Sequence, residues 1–200
     1  MSANSEYQID GRATARHDDA VLMQRLRRRD QGALAEIMNA HWQSLLAYVT
    51  GLMRDRAAAE DIAQQALLRL WERNRGWLPN ASIRTFLYRV ARNLALNEQE
   101  ARRVRHRLGP ELELLSSSPS TPLENLEQEE LRSVVNAAVQ QLPERRREIF
   151  ILARLHDLSY KEIAEITGIS PQTVANQMSS ALTDLRRLLA HFIERPEREG

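Results

Sequence analysis

Residues 158–189 read LSYKEIAEITGISPQTVANQMSSALTDLRRLL, and the punctuation of this stretch predicts two helices joined by a tight turn. Ser159 stands where a first helix needs an N-cap. Glu162 follows three residues on, the spacing of a capping box in which each residue's side chain answers the other's free backbone N–H. Gly168 supplies the permissive backbone of a tight turn. Ser170 and Pro171 then pair an N-cap with a first-turn proline, whose missing N–H costs nothing there. Ile163, Ile169, Val174, Met178 and Leu182 recur at spacings that fill a small core, and Ala164 is small where the helices must cross. Gln172, Thr173, Asn176 and Gln177 are left facing outward at the N-terminal end of the second helix. A helix-turn-helix protein keeps the side chains that reach base edges in the major groove at that end. The stretch therefore reads as part of a duplex-DNA reader rather than an ordinary helical hairpin.

Composition removes several other functions. The chain of 200 residues has no cysteine, which excludes disulfides and thiolate metal sites. His17, His41, His106, His156 and His191 are dispersed without ligand spacing, so no metal is expected. No phosphate-binding glycine loop, nucleophile elbow or metal motif is present. Glu60 and Asp61 are adjacent on a helix and point apart, a poor acid–base pair. No catalytic residue and no cofactor are therefore expected. No apolar run approaches the roughly 18 residues of a membrane span, and MSANSEYQID lacks the basic-then-apolar order of a secretory signal. A cytoplasmic protein without membrane insertion is expected.

The net charge of +1 conceals a strong asymmetry. Residues 84–107 hold seven arginines against Glu98 and Glu100, whereas residues 108–130 hold six glutamates and no basic residue. A basic segment thus abuts an acidic one.

Hydrophobic periodicity predicts an all-α chain of two small helical domains, since no alternating run bounded by turns is found. Residues 1–17 are polar and aperiodic and read as a loose N-terminal tail. The first domain covers 18–108. In it Leu22, Leu26, Leu34, Ile37, Met38, Trp42, Leu45, Leu46 and Val49 recur at helical steps, and Gly51 with Asp55-Arg56 marks a break. A helix over 57–75 follows, then a loop over 76–82 in which Ser82 is placed to cap a helix over 83–107. That helix turns Phe86, Leu87, Val90, Ala91 and Leu94 inward. Residues 109–128, with Pro110, Pro119, Pro122 and Ser116-Ser117-Ser118, read as a flexible acidic linker. Extended, such a segment reaches on the order of 50 Å, more than one turn of duplex at about 34 Å. The second domain covers 129–195. It opens with a stripe of Leu131, Val134, Val135, Ala138 and Leu142, and Pro143 occupies the first position of a new helix, with Glu144 favourable to its dipole. Ile149, Phe150 and Ala153 lead into the helix-turn-helix.

The helix over 57–75 has one apolar face too many. Ala59, Ala63, Ala66, Leu67 and Leu70 can line a core. Asp61, Gln64, Leu68, Trp71 and Glu72 fall on the neighbouring side, where a leucine and a tryptophan among polar residues suit a partner. Trp71 either completes the core or belongs to that outer face.

At these residues a family resemblance emerges. Ala59-Glu60-Asp61-Ile62-Ala63-Gln64 through Leu70-Trp71 resembles the helix by which bacterial RNA polymerase sigma factors grip the core enzyme. Residues 82–94, SIRTFLYRVARNL, resemble the segment that follows it in that family. Leu142-Pro143-Glu144-Arg145 through Leu188 resembles the family's final domain. The chain is similar to the extracytoplasmic-function (ECF) subfamily of the sigma-70 family, over roughly 18–189 apart from the linker.

The resemblance implies a region 2 domain that binds the clamp coiled coil of the largest polymerase subunit through Asp61, Gln64, Leu68 and Trp71. The family's usual acidic residue and phenylalanine are replaced here by Gln65 and Leu67. It implies recognition and melting of the promoter −10 element by Trp77, Asn80 and Ser82 in a base-holding loop, with Arg84, Arg89, Arg92, Asn93 and Asn97 on the following helix. Trp77-Leu78-Pro79 departs from the family's Phe-Arg-Gly type of loop, and Asn97 stands where an acidic residue is frequent. It implies a region 4 domain reading the −35 element through Gln172, Thr173, Asn176 and Gln177, amides being suited to adenine, with Arg186 at phosphate or solvent. Core polymerase, through the clamp and the other large subunit's flap, promoter DNA and an anti-sigma factor are the implied partners. The alternative is a stand-alone helix-turn-helix regulator. The response-regulator form of that alternative requires an α/β receiver domain, for which residues 18–107 offer no strand.

Overall fold

The computed structural model describes residues 18–73, 82–108 and 126–193, and every regular element among them is helical. The chain divides into two compact units, Met1–Ser116 and Ser117–Gly200. The expected tail, the loop residues 74–81 and residues 109–125 of the expected linker lie outside the described residues.

Unit 1 contains helix α1 over 18–27, α2 (Gln31–Met53), α3 (Arg56–Arg73) and α4 (Ile83–Leu108). Asp30 starts α2 by accepting from the Gly32 and Ala33 N–H groups at 2.8 and 3.4 Å. Arg25 binds both Asp30 (2.7 Å) and Glu36 (2.8 Å), which pins the α1–α2 turn and holds the Asp30 carboxyl below its usual value. Gly51 does not break the chain: it lies inside α2. The break comes at Arg54, in the left-handed region at φ 55°, whose N–H closes on Thr50 O. Asp55 then accepts from the Ala58 N–H (3.2 Å) and starts α3. A helix end leaves carbonyls without partners, and Gln99 of α4 answers one of them at Leu52 O, at 2.8 Å.

The core of unit 1 is a seam of small and large side chains. α3 contributes Ala59, Ile62, Ala63, Ala66, Leu67 and Leu70, all buried. α4 contributes Ile83, Leu87, Ala91 and Ala95, one every four residues, with Tyr88 beside them. Alanine on both helices permits close backbone approach. Phe86, Val90 and Leu94, expected inside, are only half-buried, because the inward stripe runs along the i, i+4 row that starts at Ile83. Tyr88 stacks on Tyr48 of α2 with ring centroids 5.0 Å apart. Burial pushes the Tyr88 hydroxyl up to about 12, and the phenol bonds to Ser44.

Unit 2 holds α5 (Leu126–Gln140), α6 (Glu144–Arg154), α7 (Tyr160–Thr167) and α8 (Pro171–Ile193). α5 begins inside the stretch read as linker. Ala138, Val139 and Leu142 pack with Ala181 and Leu185 of α8, and Phe150, Ile151, Leu188 and Leu189 close the cluster. Val139 takes the place expected of Val135, which is 36% exposed. Pro143 is the N-cap residue of α6 rather than its first helical residue, and its carbonyl receives the Arg147 N–H at 2.9 Å. Arg146 and Asp184, 2.6 Å apart, tie α6 to α8.

Truncating Leu87, wholly buried in the α4 stripe, is expected to cost unit 1 about 2–5 kcal/mol. All three tryptophans (Trp42, Trp71, Trp77) belong to that unit. The urea midpoint read from tryptophan fluorescence should fall sharply in Leu87→Ala. An unchanged midpoint would remove the α4 stripe from the core.

Candidate polymerase and nucleic-acid interfaces

The outer side of α3 is exposed. Leu68 is 55% exposed, flanked by exposed Asp61, Gln64 and Glu72, while Ala59, Ala63, Ala66, Leu67 and Leu70 turn inward. Trp71 is half-buried, and its ring carries the Arg29 guanidinium 5.2 Å from the centroid, a cation–π contact that fixes the indole at the edge of this face. Beside Leu68 opens an apolar groove of about 550 Å³, lined by Leu34, Met38 and Trp42 of α2 and by Gln64, Leu67 and Leu68 of α3. Met38 and Trp42 were read with the core stripe, yet Met38 is exposed and Trp42 half-buried. Their spacing carried a sign of this: Leu34, Met38 and Trp42 form their own i, i+4, i+8 row beside that of Ile37 and Leu45.

The N-terminal half of α4 forms a second surface. Ser82 caps it, accepting the Thr85 N–H at 3.3 Å. Asp19 of α1 accepts the Ile83 N–H at 2.9 Å. Burial raises the Asp19 carboxyl above its usual value, opposed by that backbone bond. Arg89, Asn93 and Asn97 lie on one exposed row; Arg84 and Arg92 lie on a neighbouring, half-buried one. Trp77 and Asn80, expected in the adjoining loop, lie outside the described residues.

The basic segment is smaller than its arginine count suggests. Arg102 pairs with Glu98 (3.1 Å) and Asp55 (2.9 Å), Arg105 with Glu98 (2.8 Å) and Arg103 with Glu100 (3.7 Å). The Glu98 carboxyl is held low, chiefly by Arg102 and then by Arg105. Arg84 and Arg89 make no ion pair with another described residue, and Arg89 lies 5.9 Å from the centroid of the Phe86 ring. Available positive charge is thus concentrated at the N-terminal half of the helix.

The helix-turn-helix of unit 2 is built as its punctuation requires. Ser159 and Glu162 form the full capping box: Ser159 N–H reaches Glu162 at 2.8 Å, and Glu162 N–H reaches Ser159 Oγ at 3.3 Å. Gly168 ends α7 at φ 74°, where an L side chain would be strained. Ser170 Oγ accepts the Thr173 N–H at 3.0 Å and so caps α8. Ile163, Val174 and Met178 are buried as expected, but Ile169 and Leu182 are only partly so, Ala181 being the fully buried neighbour. Gln172, Thr173 and Asn176 are exposed and Gln177 half-buried. Gln172 Nε2 donates to Asn176 Oδ1 at 3.0 Å, which aligns the two amides. The Gln172 carbonyl and the Asn176 amino group are unused by that bond, and an acceptor beside a donor is what an adenine edge requires. Arg186 and Arg187 are exposed further along, Arg187 being 3.7 Å from Asp184. Among the described residues no cluster of His, Asp or Glu could hold a metal, and no helix is long and apolar enough to cross a membrane.

Comparison with known proteins falls on the same two units. The family model Sigma-70 region 2 matches residues 37–105, and Sigma-70, region 4 matches 132–185. A probable RNA polymerase sigma factor, RfaY of Xanthomonas campestris, is 32% identical over 168 residues; the match covers 81% of this chain and 42% of that protein's length. The ECF RNA polymerase sigma factor EcfG of Rhodopseudomonas palustris is 30% identical over 148 residues, covering 73% of this chain and 79% of EcfG. The sigma factor RpoE of Bartonella quintana, solved in complex with the anti-sigma factor NepR, shares the fold. Its TM-score is 0.60 at 22% identity, over 78% of this chain and 96% of that one.

One titration follows from the geometry. His41 of α2 is half-buried, and burial, reinforced by Arg84, holds its imidazole below the ordinary histidine value. The unfolded chain therefore takes up a proton near pH 6.5, about the unperturbed value, where the folded chain resists it. Stability is intact above that pH and declines as pH falls through it. The urea midpoint from tryptophan fluorescence should drop between about pH 7 and 5.5 more steeply in the wild type than in His41→Gln. Equal slopes would show that His41 is not held neutral by the fold.

Proposed function

The chain belongs to the ECF sigma factors of the sigma-70 family, and on that premise we propose that it binds core RNA polymerase, recognises the −35 and −10 elements of a promoter and helps to melt the latter. The observation that carries this reading is the division of labour between the units. One unit exposes an apolar partner face on α3 beside a basic helix; the other presents a capped helix-turn-helix with an outward cluster of amides. A stand-alone regulator has no use for the first.

In this reading Asp61, Gln64, Leu68 and Trp71 meet the clamp coiled coil, with the groove lined by Met38 and Trp42 beside them. Arg84, Arg89 and Arg92 hold the −10 strand by its phosphates, and Asn93 and Asn97 face its bases. Ser82 supports the loop in which Trp77 and Asn80 would hold an unstacked base. Gln172, Thr173, Asn176 and Gln177 read the −35 element, with Arg186 at the backbone. Only Arg186 and Arg187 are basic in α8, so unit 2 binds DNA weakly alone. Affinity comes from tethering two weak sites through one polymerase, which the other large subunit's flap would position. The acidic residues of the expected linker, repelled by bare DNA, suit a polymerase channel built for RNA. The protein works in the cytoplasm, supplies no catalytic group, and is a target for an anti-sigma factor of the kind seen with the Bartonella RpoE.

Run-off transcription with core polymerase and a promoter library tests the reading; absence of sequence-dependent initiation overturns it. Leu68→Asp, which places a charge on the exposed apolar face, should weaken core binding about tenfold or more with the urea midpoint unchanged. Asn176→Ala should cost about 1–3 kcal/mol of −35 discrimination and leave core binding intact. An equal loss on every promoter would assign Asn176 a structural or phosphate role instead.

A further inference from the structure

The turn between α1 and α2 places a cation at one end of the exposed side of α3. Arg29 occupies the left-handed region at φ 61°, and its N–H closes on Leu26 O at 2.9 Å. Glycine or asparagine adopts that backbone at less cost, so what an arginine adds to the turn is its side chain. The turn itself is pinned, since Arg25 reaches across it to Asp30 (2.7 Å) and to Glu36 of α2 (2.8 Å). From this support the Arg29 guanidinium lies over the Trp71 ring, 5.2 Å from its centroid. An aromatic face uses none of a guanidinium's five N–H donors. Arg29 is exposed and makes no ion pair with another described residue, whereas Arg25, Arg102 and Arg146 each hold a carboxylate. The exposed side of α3 therefore has a charge order. Asp61 stands at one end, Gln64 and Leu68 follow, and Trp71 carries Arg29 at the other. Ten residues separate Asp61 from Trp71, about 15 Å along the helix. Arg28, exposed in the same turn and also without a described ion pair, joins Arg29 in outweighing Glu72, the exposed carboxylate next to Trp71.

We propose that Arg29 is a further contact to core polymerase and takes a carboxylate of the partner at the Trp71 end of this face; this rests on the core-binding role given above to α3. A partner helix laid along α3 covers Leu68 with an apolar side chain and meets Arg29 with an acid. Reversed, it would set that acid against Asp61, so the charge order fixes the direction in which the partner lies. Trp71 then has two functions in one contact. Its indole is an apolar anchor, and it holds the guanidinium in place before the partner arrives, so that less side-chain freedom is lost on docking. Docking also removes water from the stacked pair, which strengthens both the cation–π contact and the charge-assisted hydrogen bonds to the carboxylate.

Affinity of the full-length chain for core polymerase, measured at low and high salt, tests this with substitutions at one position. Arg29→Ala should weaken binding about fivefold or more and flatten its salt dependence, with the urea midpoint unchanged. Arg29→Gly suits the positive φ better and should fold at least as stably while binding as poorly as Arg29→Ala. Arg29→Glu should bind more weakly than either, because it sets an acid against an acid. In the free chain the Trp71 indole N–H resonance, assigned with Trp71→Phe, should move in all three variants. Unchanged core affinity in Arg29→Gly overturns the contact. Arg29→Glu binding as well as Arg29→Ala overturns the carboxylate, and an equal loss in Arg28→Glu shows a general field instead of a seat at Arg29. Leu68→Asp is scored separately: if it weakens core binding while the Arg29 variants do not, the α3 face stands and this contact falls; if it too has no effect, the α3 reading falls with it.

Discussion

Burial of a single row of α4, Ile83, Leu87, Ala91 and Ala95, governs what unit 1 can present to other molecules. With that row against α2 and α3 and Tyr88 stacked on Tyr48, the helix has no rotational freedom left. Arg89, Asn93 and Asn97 must then face solvent together. The same packing uses up the alanine side of α3, which leaves Leu68 more than half exposed among the described residues. The exposed apolar face of α3 and the row of Arg89, Asn93 and Asn97 are two consequences of one buried seam.

What the sequence made legible was mostly local. Ser159, Glu162, Gly168 and Ser170 act within four residues of themselves, so the helix-turn-helix follows from spacing alone. The two faces of α3 were equally readable, because alanines on one side and Leu68 on the other differ in size and not only in polarity. Gly51 misled, since a helix accommodates one glycine when its neighbours are well packed; the turn was made instead by Arg54 and by Asp55, the next residue's cap. The arginine segment misled for a different reason. Arg102 meets Asp55 across 47 positions of sequence, a pairing that no local pattern announces.

The groove beside Leu68 was hidden for a third reason. Met38 and Trp42 have the composition and period of core residues, and only the position of α3 decides which of two adjacent apolar rows on α2 is sealed. Periodicity identifies a helix's apolar sector but not the part of it that a neighbour covers. Val135 and Val139 show the same ambiguity in unit 2, where α8 selected the latter. Site prediction from pattern is therefore strongest where polar residues interrupt an apolar row, as Gln64 does, and weakest where two apolar rows run side by side.

The contact between Asp19 and the first N–H of α4 sets a boundary on this surface. A helix N-terminus ordinarily attracts phosphate, but here the first N–H of α4 is already taken by Asp19, a carboxylate from α1. In the proposed reading, a nucleic-acid strand crossing unit 1 gains little from the tip of α4 and most along its flank, where Arg84 and Arg89 stand. In that reading the acid works as a kerb, confining the route of the sugar-phosphate chain to one side of the helix, while the tip is kept for contacts that need no negative charge.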